Sequence, residues 1–190
     1  AYLEGCTLAT WLKPSAQGVS PVTALQITRK LAAGLQAAHD VGLIHRDLKP
    51  GNVMMTQRDE PVIIDFGIVH EVGAVDPVQQ TMNAVPAGTP AYTAPELISS
   101  GEDCTPAADI YSLGVILYEM LTGAPPFSGS LTTLLGTIVC DDPPDLTARR
   151  GDLDAHLDSL CLRAMAKDPT DRYASAAQFA EAIDAYVTKC

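Results

Sequence analysis

Apolar residues along the chain fall into two kinds of run. One recurs every three or four positions; the other is too short to be helical. Ser20-Pro21 puts a capping hydroxyl before a Pro at a first helical position, and Ile27, Leu31 and Leu35 then recur on one face until His39-Asp40-Val41-Gly42 ends the pattern. The expectation is a long amphipathic helix. Ile44, Val53-Met54-Met55 and Val62-Ile63-Ile64 are brief apolar runs that predict short strands. After Thr105-Pro106, Ile110, Leu113, Val115, Ile116, Leu117, Met120 and Leu121 cover nearly the whole circumference of a helix, which therefore belongs at the centre of its domain. Gly123-Ala124-Pro125-Pro126 stops it. Three more helical patterns run from Leu131 to Val139, Leu153 to Met165 and Ser175 to Val187. The last opens on a capping box, Ser175-x-x-Gln178, and continues through Phe179, Ile183 and Val187. Residues 68–93 show no sustained periodicity and carry Gly, Pro, Asp, Gln and Thr, which predicts a long functional loop. The fold class expected is α+β, mostly helical, with a few short strands.

Composition narrows the partners more than the fold. At 190 residues, 47% hydrophobic and 18% charged, the chain reads as one globular domain. A net charge of −11 repels a phosphate backbone, so nucleic acid is not an expected partner. Cys6, Cys104, Cys140, Cys161 and Cys190 are scattered without any C-x-x-C, as reduced thiols in a cytoplasmic protein would be. No apolar stretch approaches the roughly 20 residues of a membrane span. The expectation is no membrane contact within this segment, with attachment through sequence outside it left open.

Three motifs lie in order among these elements. His45-Arg46-Asp47-Leu48-Lys49-Pro50-Gly51-Asn52 follows the long helix, Asp65-Phe66-Gly67 begins thirteen residues after Asn52, and Ala94-Pro95-Glu96 closes the aperiodic stretch. The chemistry they suit is phosphoryl transfer, which asks for an oriented nucleophile, metal between phosphates and positive charge on the transferred group. Asp47 is placed to take the proton of an attacking hydroxyl, and Lys49 to reach a phosphate as a point charge. Asn52 and Asp65 offer two hard oxygen ligands from separate loops, a set that suits Mg²⁺ completed by phosphate oxygens and water. Alone, Asp65 is a turn residue and Asn52 a loop cap; their joint spacing from Asp47 favours the metal role.

In this order the motifs resemble those of bacterial Ser/Thr protein kinases of eukaryotic type, and the resemblance covers essentially all of residues 1–190. It implies a protein-kinase-like fold represented by its C-terminal lobe. Residues 1–5 would be a hinge remnant with Leu3 at the adenine, residues 6–190 the catalytic lobe, and residues 65–96 the activation segment. It implies ATP and Mg²⁺ as cofactors, with Mn²⁺ the alternative metal, and Ser/Thr-bearing proteins as substrates. Met54 would pack under the adenine, a role compatible with an ordinary core Met. His45 would stack beneath Phe66, beside Gly67, as a positional residue. Thr89, after Gly88, would bond Asp47 and Lys49 and shape the site for an aliphatic hydroxyl. Arg46 would hold a phosphate on the activation segment, for which Thr81 is the candidate; otherwise Thr81 is a plain loop threonine. Glu96 and Arg172 would form a buried ion pair, and Asp109 would accept backbone N–H groups of the catalytic loop, a place the helix dipole also favours.

The resemblance is partial in one respect. No G-x-G-x-x-G occurs, and Lys13, Lys30, Lys49, Lys167 and Lys189 all lie in settings unlike the strand lysine that grips ATP. An N-terminal lobe is therefore expected outside these residues, and the segment alone is expected to be inactive. The alternative is a truncated, non-catalytic kinase-like binding or regulatory protein. Intact Asp47, Lys49, Asn52 and Asp65 favour the enzyme, because a pure binding module has no use for metal ligands.

Overall fold

The structure, a computed structural model, describes residues 4–15, 17–66, 90–99 and 104–189. Leu3, Gly67, Thr81 and Thr89 lie outside the described residues, as does most of the stretch expected to be a loop. Three strands, β1 (Gly5–Thr7), β2 (Val53–Thr56) and β3 (Pro61–Ile63), form one antiparallel sheet in that order. Met54 is paired with Thr7 on one side and Val62 on the other. Alternation along β2 sends Val53 and Met55 into the core and leaves Met54 half-buried on the opposite face.

The helices are α1 (Leu8–Leu12), α2 (Pro21–His39), α3 (Pro95–Ser99), α4 (Pro106–Thr122), α5 (Leu131–Cys140), α6 (Leu146–Arg149), α7 (Ala155–Ala164) and α8 (Ala176–Val187). α2 begins as the sequence indicates, with Pro21 at the first turn and Ser20 Oγ accepting from Thr23 N at 3.1 Å. Its apolar stripe of Leu25, Ile27, Leu31 and Leu35 is at most 4% exposed and packs on α4 and α8. Each such side chain contributes about 1.5–3 kcal/mol when fully buried.

α4 is the axis of the domain, with 13 of its 17 residues buried. It ends at Gly123, whose φ of 84° is the left-handed conformation that only glycine adopts cheaply. Gly114 lets α7 approach backbone-close: a Cβ there would lie 2.8 Å from Ala164 Cβ and 2.9 Å from Met165 Cγ. Any larger residue at position 114 would push α7 off the axis and open the core.

Several expectations are corrected. Ile44 is not a strand; it lies in irregular chain leading into the catalytic loop and pairs with none of the three described strands. β3 ends at Ile63 rather than Ile64, and the Ile64 N–H bonds the Asn52 carbonyl instead. The helix expected from Leu153 starts at Ala155, since Asp154 caps it by accepting from His156 N and Leu157 N. Thr105 stands at the N-cap of α4, but its side chain makes no capping bond. In the box that opens α8, Ser175 Oγ accepts from Gln178 N at 3.1 Å, while Gln178 Oε1 reaches back to the N–H of Ala174 rather than that of Ser175. Within the expected loop, Pro90–Tyr92 forms a 3₁₀ turn.

Candidate active site

The catalytic loop leaves α2 through irregular residues and is anchored from below by Leu48, which is 1% exposed. Asp109, in the first turn of α4, holds it from inside. Its Oδ2 accepts from His45 N at 2.8 Å and its Oδ1 from Arg46 N at 2.9 Å. His39, in the last turn of α2, donates Nε2–H to the same Oδ2 at 2.8 Å. These bonds stabilise an otherwise costly backbone, for Arg46 has φ 67°, a left-handed conformation that a residue with a Cβ rarely adopts. His45 is fully buried and bridges the two motif loops: Nε2 donates to Ile64 O at 3.0 Å, and Nδ1 accepts from Asp47 N at 3.3 Å. Those bonds require the Nε2–H tautomer. Phe66 lies beside the imidazole with ring centroids 5.0 Å apart.

Above this anchor stands a half-exposed polar cluster. Lys49 Nζ donates to Asp47 Oδ2 at 2.6 Å, and Asn52 Nδ2 donates to Asp47 O at 2.8 Å and Asp47 Oδ2 at 3.1 Å. Asn52 spends its amide N–H groups on Asp47, so its amide oxygen has no partner among the described residues. Asp65 follows with an exposed carboxylate and φ 55°, a left-handed conformation Asp tolerates. The Ile64 N–H to Asn52 O bond, 2.9 Å, ties the two loops side by side. Two uncommitted hard oxygens on adjacent loops, with Lys49 beside them, fit a small divalent cation that shares its remaining ligands with phosphate and water.

Glu96, in the first turn of α3, and Arg172 meet as a two-pronged pair, 2.8 Å and 2.7 Å between heavy atoms. Arg172 also donates to the carbonyls of Ala166, Ala107 and Lys167, so all five of its N–H groups are used at 2% exposure. The pair clamps α3 to the start of α4 and to the turn before α8.

Sequence reasoning passed over four contributors, His39, Tyr92, Ser112 and Glu119. His39 reads only as part of a helix stop, yet it completes the Asp109 anchor. Tyr92 Oη donates to Glu119 Oε2 at 2.7 Å, and Ser112 Oγ donates to Tyr92 O at 2.8 Å, fixing the turn that leads to α3. Burial pushes the Glu119 carboxyl up and the Tyr92 hydrogen bond opposes it; the Tyr92 phenol is raised by burial and by Glu119. No spacing rule links positions 92 and 119, so no local signal exists for this pair.

A sequence profile described as a protein kinase domain matches residues 1–183. Serine/threonine-protein kinase PknB of Mycobacterium tuberculosis is 36% identical over 178 residues, covering 93% of this chain and 28% of that protein. Serine/threonine-protein kinase PknK of Mycobacterium bovis is 42% identical over 163 residues, covering 84% of this chain and 14% of that protein. The crystal structure of the Mycobacterium tuberculosis PknI kinase domain superposes with a TM-score of 0.73 at 33% identity, covering 97% of this chain and 62% of that one. The chain thus spans a minor part of these curated relatives' length.

Proposed function

The chain belongs to the protein kinase family, among bacterial serine/threonine kinases of eukaryotic type, and we propose that residues 6–190 are the catalytic lobe of such an enzyme, moving the γ-phosphate of ATP to Ser or Thr of protein substrates. The observation that carries this is the Asp47 carboxylate: Lys49 and Asn52 both donate to Oδ2, and Oδ1 has no donor among the described residues. A carboxylate oriented by two donors and open on one oxygen is what a hydroxyl proton acceptor needs.

In this reading Asp47 orients the substrate hydroxyl and takes its proton. Lys49 moves from Asp47 towards the transferred group, exchanging one anionic partner for another. Asn52 and Asp65 would hold Mg²⁺, which would supply charge neutralisation to the phosphates when bound. Asp109 and His45 keep the base and the metal-bearing loop in register, and the Glu96–Arg172 clamp braces the segment that receives the peptide. Leu3 and Met54 flank the adenine. Thr89 narrows the acceptor to an aliphatic hydroxyl. Arg46 is exposed and makes no ion pair among the described residues, which suits it to a phosphate on Thr81 that switches the enzyme on. Residues 65–96 are then the activation segment and residues 1–5 the end of a hinge.

Phosphate clamping is shared work in this chemistry, and residues 1–190 contain no Gly-rich loop for it. We therefore assign that part to a lobe encoded elsewhere. No described helix is long and apolar enough to cross a membrane, and we place the lobe in the cytoplasm. Radiolabelled ATP transfer by the enzyme carrying both lobes, compared with its Asp47→Asn variant and with residues 1–190 alone, tests the reading. Transfer is expected from the first only. Undiminished transfer by Asp47→Asn, or silence from the two-lobed enzyme under activating conditions, would sink it in favour of a regulatory protein.

A further inference from the structure

The far end of the central helix from the catalytic loop holds a second polar feature. A cavity of about 150 Å³ lies against the end of α4, lined by Tyr118, Thr122, Ala124, Pro125 and Arg149. Tyr118 is 1% exposed, and its hydroxyl has no hydrogen-bond partner among the described residues. A tyrosine that only filled space here would serve better as phenylalanine, because a shielded hydroxyl without a partner loses its hydration for nothing.

The surrounding groups decide what is missing. Arg149 lines the same cavity as Tyr118, and its guanidinium opposes the upward push of burial on the phenol. A guanidinium can only donate, so it offers the phenol proton no acceptor. Thr122 spends its own hydroxyl proton on the carbonyls of Tyr118, at 2.9 Å, and Ala124, at 2.8 Å. Ala124 and Pro125 offer apolar wall. No carboxylate of the described residues lines the cavity; Asp158, an acid that acts on Tyr118 from outside it, accepts from Leu146 N at 2.9 Å. The cavity therefore presents one forked cation and one O–H donor, neither with an acceptor among the described residues, on a chain of net charge −11.

We propose that this cavity is an oxyanion-binding site, sized for a single carboxylate or phosphate group, with Tyr118 and Arg149 as its donors. Nine residues of helix, about 14 Å, separate Tyr118 from Asp109, so the site is distinct from the catalytic loop and does not depend on phosphoryl transfer. A planar carboxylate or a tetrahedral phosphate satisfies the guanidinium fork and takes the phenol proton at once.

The test is thermal unfolding of the intact protein titrated with sodium acetate, and separately with sodium phosphate, against sodium chloride at matched ionic strength. A saturable rise in Tm with one oxyanion and none with chloride is expected, and the anion that acts identifies the carboxylate or the phosphate. Tyr118→Phe and Arg149→Gln should each weaken the apparent affinity on the order of tenfold. Arg149 is exposed, so its variant should keep the unliganded Tm and isolate binding from folding. Equal effects of chloride, an affinity unchanged in Tyr118→Phe, or a crystal structure at high phosphate with only a water between Tyr118 and Arg149 would each overturn the proposal.

Discussion

Two carboxylates on either side of the catalytic loop are bonded in opposite styles. Asp109, beneath it, is 1% exposed and accepts from three donors drawn from two segments. Asp47, above it, is 41% exposed at the side chain and takes both side-chain donors on one oxygen. A charge as deeply buried as Asp109 is tolerable only when its lone pairs are filled, and filling them with backbone N–H groups turns the charge into a rivet for the loop. A carboxylate held by three donors and shut off from solvent is out of a substrate's reach. Asp47 is given orientation without saturation, which is the condition for accepting a proton. The same contrast separates Arg172, with all five N–H groups engaged, from Arg46, exposed and unpaired among the described residues.

Removing the open carboxylate should give the largest effect and leave the fold alone. In the active two-lobed enzyme, Asp47→Asn is expected to lower kcat by about 10²–10⁴-fold, the usual worth of a positioned base, with Tm nearly unchanged. A matching collapse of Tm would erase the distinction drawn between the two carboxylates. Arg172→Ala attacks the saturated side instead: it removes two guanidinium bonds from Glu96 and the donors of three carbonyls, and breaking a buried pair costs on the order of 3–5 kcal/mol. Differential scanning calorimetry should show Tm lower by roughly 10 °C, since 1 kcal/mol moves a domain of this size by about 2–4 °C. A shift like that of an exposed arginine would mean the clamp carries no load.

Asp109→Asn sharpens the comparison by keeping shape and removing charge. One of its oxygens becomes a donor facing N–H groups, and a loss of about 1–3 kcal/mol is expected, with faster hydrogen exchange at the amides of His45 and Arg46. Exchange unchanged at those two amides would assign the loop's rigidity elsewhere.

The smallest effect concerns Glu119. Its folded-state pKa is raised, so between the unfolded carboxyl value and the folded one the native state holds more proton than the unfolded chain, and stability falls as pH rises through that window. Glu119→Gln should remove this decline. Chemical denaturation at pH 4 and pH 7 checks it: the variant's stability difference between the two should be more favourable to neutral pH than wild type's.

Sequence alone determined the elements whose signals are local. The stripe of α2, the all-round apolar surface of α4, the Ser20-Pro21 start and the Gly123 stop each depend on residues within a few positions of one another, and each is found where the pattern puts it. The motif residues were legible for the same reason: Asp47, Lys49 and Asn52 belong to one short turn, so their spacing fixes their meeting. Short elements were less legible. β1 is three residues long and exists because Cys6 and Thr7 find Met55 and Met54 across the sheet, while Ile44 pairs with none of the described strands. Distance in sequence hid the rest. Tertiary structure alone brought His39 to Asp109, Tyr92 to Glu119, and Arg149 beside the hydroxyl of Tyr118, because a hydrogen bond is decided by the few ångströms between two side chains, and nothing in a linear pattern encodes those ångströms until the helices have packed.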